Sequence, residues 1–110
     1  MIKLKIKPLS VNEAYQGRRF RTPKHDIFKT AIKYLLPDHL KIPEPPFTLE
    51  LEFGFSSKAS DLDNVLKLTI DSLQDKYCFN DKLIRRLIVN SEYVEKGKEY
   101  ISFKIEHLEK

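Results

Sequence analysis

The sequence predicts an α+β fold: a single-domain, two-layer sandwich with two helices packed on one mixed sheet. Three observations predict it. Two segments alternate apolar and polar residues with period two, as half-buried strands do. Two others carry apolar residues at i, i+3, i+4 spacing, as amphipathic helices do. The last third reads as two more strands, giving the order β-α-β-α-β-β. Strands interleaved with helices also suit a doubly wound sheet. The final pair of strands and the length of 110 residues favour the two-layer arrangement, with one domain over 1–110.

The elements follow in order. Residues 2–7 set Ile2, Leu4 and Ile6 against Lys3, Lys5 and Lys7, and Pro8 ends that strand or confines its end to a sheet edge. Residues 8–22 read as a loop, with Pro, Ser, Asn and Gly and little periodicity; a long ordered loop is more often functional than idle. Thr22-Pro23 has the form of a helix start, and Ile27, Phe28, Ala31, Ile32, Leu35 and Leu36 follow at helical spacing until Pro37. Residues 37–46 are a proline-rich connection. Residues 47–55 set Phe47, Leu49, Leu51, Phe53 and Phe55 against Thr48, Glu50, Glu52 and Gly54, and alternation alone makes these phenylalanines core. A second helix is expected over 62–76. Strands over 84–94 and 99–107 follow, with Lys96-Gly97-Lys98 as a hairpin turn between them.

Composition narrows the function classes. With 41% apolar and 33% charged residues, the chain is neither disordered nor fibrous. No apolar run approaches the roughly 18 residues of a membrane span. MIKLKIK alternates charge with apolar residues, which does not suit a secretory leader. Cys78 is the one cysteine, so an internal disulfide and a multi-cysteine zinc site are excluded, and Cys78 itself is expected to be a buried apolar residue. A reducing, cytoplasmic setting is expected. Net charge is +4 and is concentrated near the N-terminus, where Lys3, Lys5, Lys7, Arg18, Arg19, Arg21 and Lys24 face a single acid, Glu13. That distribution suits an anionic partner such as nucleic acid.

The stretch Ser60-Asp61-Leu62-Asp63-Asn64-Val65-Leu66-Lys67 is the most informative. Asp61 and Asp63 follow a strand and open a helix. If the chain is still extended there, residues two apart point the same way and the carboxylates converge. At about 4 Å and an effective dielectric near 20, two like charges repel by about 4 kcal/mol. Protonation of one acid or a divalent cation relieves this, and Mg²⁺ takes one or two carboxylates while keeping waters and substrate phosphates. Asp63, Lys67 and Asp71 fall at i, i+4, i+8 and form one stripe. Asp81 follows the helix at the head of the next strand, from where it could return to the same end of the sheet. The structural alternative is an N-cap at the helix start and a solvated Asp63–Lys67 ion pair. Asp-x-Asp alone does not separate the two. Asp-x-Asp-Asn-x-x-Lys after a strand, with Asn80-Asp81 further on, is more specific.

On these residues the sequence resembles the RusA family of Holliday-junction resolvases, the crossover junction endodeoxyribonucleases. The likeness rests on Asp61-Leu62-Asp63-Asn64-Val65-Leu66-Lys67, on Asp71-Ser72-Leu73, on Asn80-Asp81 and on Ser10-Val11-Asn12 after the first strand. The resemblance implies a homodimeric, Mg²⁺-dependent endonuclease that resolves four-way DNA junctions by paired symmetric nicks, in recombination and repair. It places the metal-binding acids at Asp61, Asp63 and Asp81 and the catalytic lysine at Lys67. Asp71 matches another recurring family acid. Where the family often has two acids, this chain has Asn80-Asp81, which leaves Asp81 as the ligand.

Beside these, Arg18, Arg19, Arg21 and Lys24 suit phosphates on the junction arms, and Asn12 suits a phosphate or the loop's own hydrogen bonding. Lys3, Lys5 and Lys7 suit a DNA-facing surface or protection of an edge strand. Tyr15 and Phe20 lie among the basic residues, where a ring could wedge at a junction centre. His25, His39 and His107 are scattered and suggest no ligand set. The rival reading is a basic module that holds branched or duplex DNA without cutting it.

Overall fold

The computed structural model describes residues 1–17 and 20–109. Its main sheet has four strands: β1 (Ile2–Leu4), β4 (Phe47–Phe55), β5 (Ile84–Tyr93) and β6 (Tyr100–His107), in the order β1-β6-β4-β5. Two long helices, α2 (Pro23–Leu35) and α3 (Leu62–Tyr77), complete the two-layer α+β arrangement that the periodicities predict.

Alternation along β4 decides the layering. Phe47, Leu49, Leu51, Phe53 and Phe55 are buried, while Thr48, Glu50 and Glu52 on the opposite face are only partly covered. Ile101 and Phe103 of β6 and Leu4 of β1 join the buried face through the strand register. The helices close that face with Phe28 and Ile32 of α2 and with Val65, Leu68 and Leu73 of α3. Thr69 and Ser72 are buried too, and their hydroxyls donate to the carbonyls of Val65 and Leu68, so neither is left unpaired. Lys29–Asp75 (2.6 Å) and Lys76–Asp38 (2.5 Å) tie α3 to α2 and to the segment after it.

The expected hairpin between the last two strands is corrected by the pairing. A turn does form at Lys96-Gly97, and Gly97 has φ of 95°. However, β5 pairs in parallel with β4, and β6 lies antiparallel on the other side of β4. The Val94 amide donates to the Phe55 carbonyl (2.8 Å), so the connection rounds the end of β4 instead of folding β6 back on β5. β4, apolar along one whole face, takes a central place. β5 is left as a ten-residue edge strand.

The N-terminal region also differs. The first strand is shorter than expected, ending at Leu4. The stretch read as a loop holds a four-residue helix, α1 (Val11–Ala14), and a small antiparallel pair, β2 (Tyr15–Gln16) with β3 (Phe20–Arg21). Ser10 caps α1 by accepting from the Glu13 amide, and Ala14 is fully buried. Thr22 leads into α2 but does not cap it with its side chain; its hydroxyl donates to the Glu13 carbonyl (2.6 Å) and pins α1 in place. Cys78 is exposed, contrary to the expected burial. It ends α3 in the left-handed conformation (φ 56°), where the chain turns outward.

Candidate active site

Asp61 is the residue before the first turn of α3, with extended backbone (φ −108°, ψ 140°), and Asp63 lies in that first turn. The helix starts at Leu62, so the two acids do not share an extended segment. Both are exposed at the N-terminal end of α3, where the helix dipole favours negative charge. The structural alternative loses support here. Asp61 makes no side-chain cap, and among the described residues its carboxylate accepts only a long bond from the Asn64 amide (3.5 Å). Among the described residues, neither Asp63 nor Lys67 takes part in an ion pair, although they are one turn apart.

A cleft of about 340 Å³ opens beside Asp61. α1 brings Asn12 into it, opposite Asp61 and Asn64. Asn12 also borders the next hollow, which Lys67 and Tyr15 line. Tyr15 in turn borders a third hollow with Arg21, His25 and Asp71. The two shared walls, Asn12 and Tyr15, link the three hollows into a groove along α3, from its acidic start past Lys67 to Asp71. Tyr15 packs against His25 with ring centroids 5.4 Å apart, which makes it part of the groove wall, whereas Phe20 is 73% exposed. Lys24 is held 3.3 Å from Glu13, so its charge is partly spent within the chain. Arg18 and Arg19 lie outside the described residues.

Asp81 is placed elsewhere. It begins a single 3-10 turn (Asp81–Leu83), capped by Asn80, which accepts from the Lys82 amide (2.9 Å). β5 starts three residues later, and Ile84 lies beside Phe47, the first residue of β4, whereas Asp61 follows its last, Phe55. Between the two acids runs α3, 16 residues and about 24 Å at the usual rise per residue. Within one chain Asp81 therefore does not return to the end of the sheet that holds Asp61. Among the described residues, no three His, Cys, Asp or Glu side chains are gathered into a metal-holding group.

Sequence reasoning missed part of the Asp61 cleft. Lys7, Ser56 and Glu99 line its far side. The Glu99 carboxylate accepts from the Ser56 hydroxyl (2.7 Å) and the Gly97 amide (2.8 Å). The Ser56 hydrogen bond, aided by backbone amides and the Lys7 charge, holds the Glu99 carboxyl below the usual carboxylate range. No local pattern marks Glu99, which follows a turn in an otherwise polar stretch.

Residues 7–105 match the family model described as Endodeoxyribonuclease RusA. No curated protein matches the chain. The matched stretch takes in the cleft, the Lys67 groove and Asp81. Because the match spans most of the chain, the chain belongs to the RusA endodeoxyribonuclease family.

Proposed function

We propose that the chain is a single RusA-like nuclease domain over residues 1–110, a Mg²⁺-dependent endonuclease that resolves four-way DNA junctions by paired symmetric nicks. The observation that carries this reading is the state of Asp61 and Asp63. Among the described residues, two exposed carboxylates sit at one helix start with neither a side-chain cap nor an ion pair to account for them. Such a pair fits Mg²⁺, which is commonly held by one or two carboxylates and completes its shell with water and substrate phosphate. When bound, the metal supplies charge stabilisation at the phosphate and an activated water.

The remaining roles fall to the chain itself. Asn64 donates to Asp61 and limits its rotation. Lys67, one turn along the helix and without an ion-pair partner among the described residues, meets the scissile phosphate and offsets charge that builds on it. Asn12 joins the cleft to the Lys67 hollow and holds the phosphate's flank. Arg21 lies further along the groove, and with Arg18, Arg19 and Lys24 it tracks phosphates of the junction arms.

Asp81 joins the site through a second copy. β5 is a long edge strand with Leu87 exposed and Ile88 and Val89 partly so, the kind of edge that pairs with another chain unless blocked. Antiparallel pairing of β5 with its two-fold mate sets the start of one β5 beside the end of the other. The Asp81 of each protomer then approaches the Asp61 and Asp63 of its mate. A homodimer with two such sites suits two symmetric nicks.

No helix of the described residues is long and apolar enough to cross a membrane. A cytoplasmic role in recombination and repair follows from the substrate. The reading is tested by incubating a labelled four-way junction and a linear duplex with the protein, in Mg²⁺ and in EDTA. Symmetric nicks in the junction alone, absent with EDTA, are expected. Junction binding without cutting in any divalent metal overturns the nuclease in favour of a binding module.

A further inference from the structure

We propose that the cleft beside Asp61 receives the base of the nucleotide flanking the scissile phosphate, with Glu99 as the residue that selects it. This rests on the reading of Asp61 and Asp63 as the phosphate-cutting centre. At about 340 Å³ the cleft falls in the roughly 300–1,000 Å³ range of small-ligand sites. Its walls are mixed: Pro8, Phe55 and Val65 are apolar, while Ser56, Lys7 and Glu99 present polar groups. A base has this mixture, two apolar faces and a hydrogen-bonding edge.

Charge argues against a second phosphate. Among the described residues, the cleft holds three carboxylates, Glu13, Asp61 and Glu99, against the single ammonium of Lys7. A neutral heterocycle avoids the repulsion that another phosphate would meet. A base at the centre of a branched junction is also cheaper to unstack than one inside a duplex.

Glu99 gives the cleft its selectivity. Both its carboxylate oxygens are already oriented, one by the Ser56 hydroxyl and the other by the Gly97 amide. The group is a fixed, ionised acceptor with lone pairs to spare. It accepts from an amino group, N4 of cytosine, N6 of adenine or, with the base turned, N2 of guanine, and finds none on thymine, whose O4 carbonyl it repels. Ser56 acts as a positioning residue because it orients Glu99 from the end of β4.

The test uses one four-way junction with the base flanking the cut varied among C, A, G, T and an abasic site. The wild-type protein is expected to cut the amino-bearing junctions about tenfold faster than the thymine and abasic ones. Glu99→Gln is expected to bring the thymine junction to within about twofold of the others, and Ser56→Ala to move the same way by less. Preference unchanged in both variants, or an abasic junction cut as fast as the best base, overturns the proposal.

A second readout does not depend on cutting. 2-Aminopurine at each branch nucleotide brightens when it unstacks, and Asp63→Asn protein bound to such a junction is expected to brighten one position, weakened in Asp63→Asn/Glu99→Gln. No brightening at any branch position overturns the base pocket. Brightening that depends on Glu99, with no cutting by the wild type, leaves the pocket standing and sinks the nuclease reading instead.

Discussion

Two inactive variants, mixed, should restore cutting. Asp61→Asn removes a carboxylate before the first turn of α3, and Asp81→Asn removes one from the turn before β5. Two carboxylates on one Mg²⁺, with oxygens about 2.0–2.1 Å from the ion, lie within a few ångströms of each other. Within one chain the acids lie beyond opposite ends of α3, a helix of about 24 Å at the usual rise per residue, so they do not meet on one ion. In the proposed two-fold pairing through β5, each site would take Asp61 and Asp63 from one protomer and Asp81 from the other. A mixed dimer then has one site with both substitutions and one intact. With equal amounts and free exchange, about half the dimers are mixed, and about one quarter of the wild-type number of sites returns. Single-turnover cleavage of a labelled junction reads this, and the restored dimers should leave one-strand nicks ahead of paired ones. A mixture as inactive as its separate components would refute the shared site.

Three further outcomes follow from the sheet. Leu87→Lys places a charge on the exposed edge strand β5, where Leu87 is 43% exposed; sedimentation should show a folded monomer, and junction cutting should be lost with it. In Gly54→Ala the new Cβ would clash with two atoms of the Tyr100 ring, so the buried ring must move, at a cost of about 1–3 kcal/mol in chemical denaturation. The Tyr100 hydroxyl lies 2.7 Å from Glu52 and from Glu92, and burial first, then these carboxylates, pushes the phenol well above its ordinary 10.0. A raised folded-state value gives stability that is full below about pH 10 and fades as pH rises beyond it. Denaturation series above pH 10 should therefore show a steeper loss for the wild type than for Tyr100→Phe.

Much of this architecture is legible in the chain because it depends on neighbours in sequence. β4 occupies residues 47–55, the stretch its alternation marks, and α3 begins at Leu62 and runs one residue beyond the expected end. What escaped depends on partners far along the chain or on elements too short to carry a period. α1 has four residues and β2 and β3 two each, so no window of the sequence distinguishes them from a loop. Lys96-Gly97 signals a turn, but the turn does not say which strands pair, and β4 takes the place between β5 and β6. The same parallel register carries Asp81 to the far end from Asp61, which the motif's order along the chain could not reveal. At the site, Asp61, Asp63 and Lys67 were visible as a pattern. Glu99 and Ser56 were not, and Lys7 stood out only as a basic residue of the first strand, because the three meet only when the ends of β1, β4 and β6 converge.

The central claim is that Asp61 and Asp63 hold the metal that cuts DNA, and the double substitution Asp61→Asn/Asp63→Asn tests it most directly. Both side chains are exposed and, among the described residues, make no side-chain hydrogen bond or ion pair apart from the long Asn64 bond, so the variant should fold as the wild type does. The account predicts that it still binds a four-way junction and makes no Mg²⁺-dependent nick in single-turnover conditions. Nicking at the wild-type rate would contradict it.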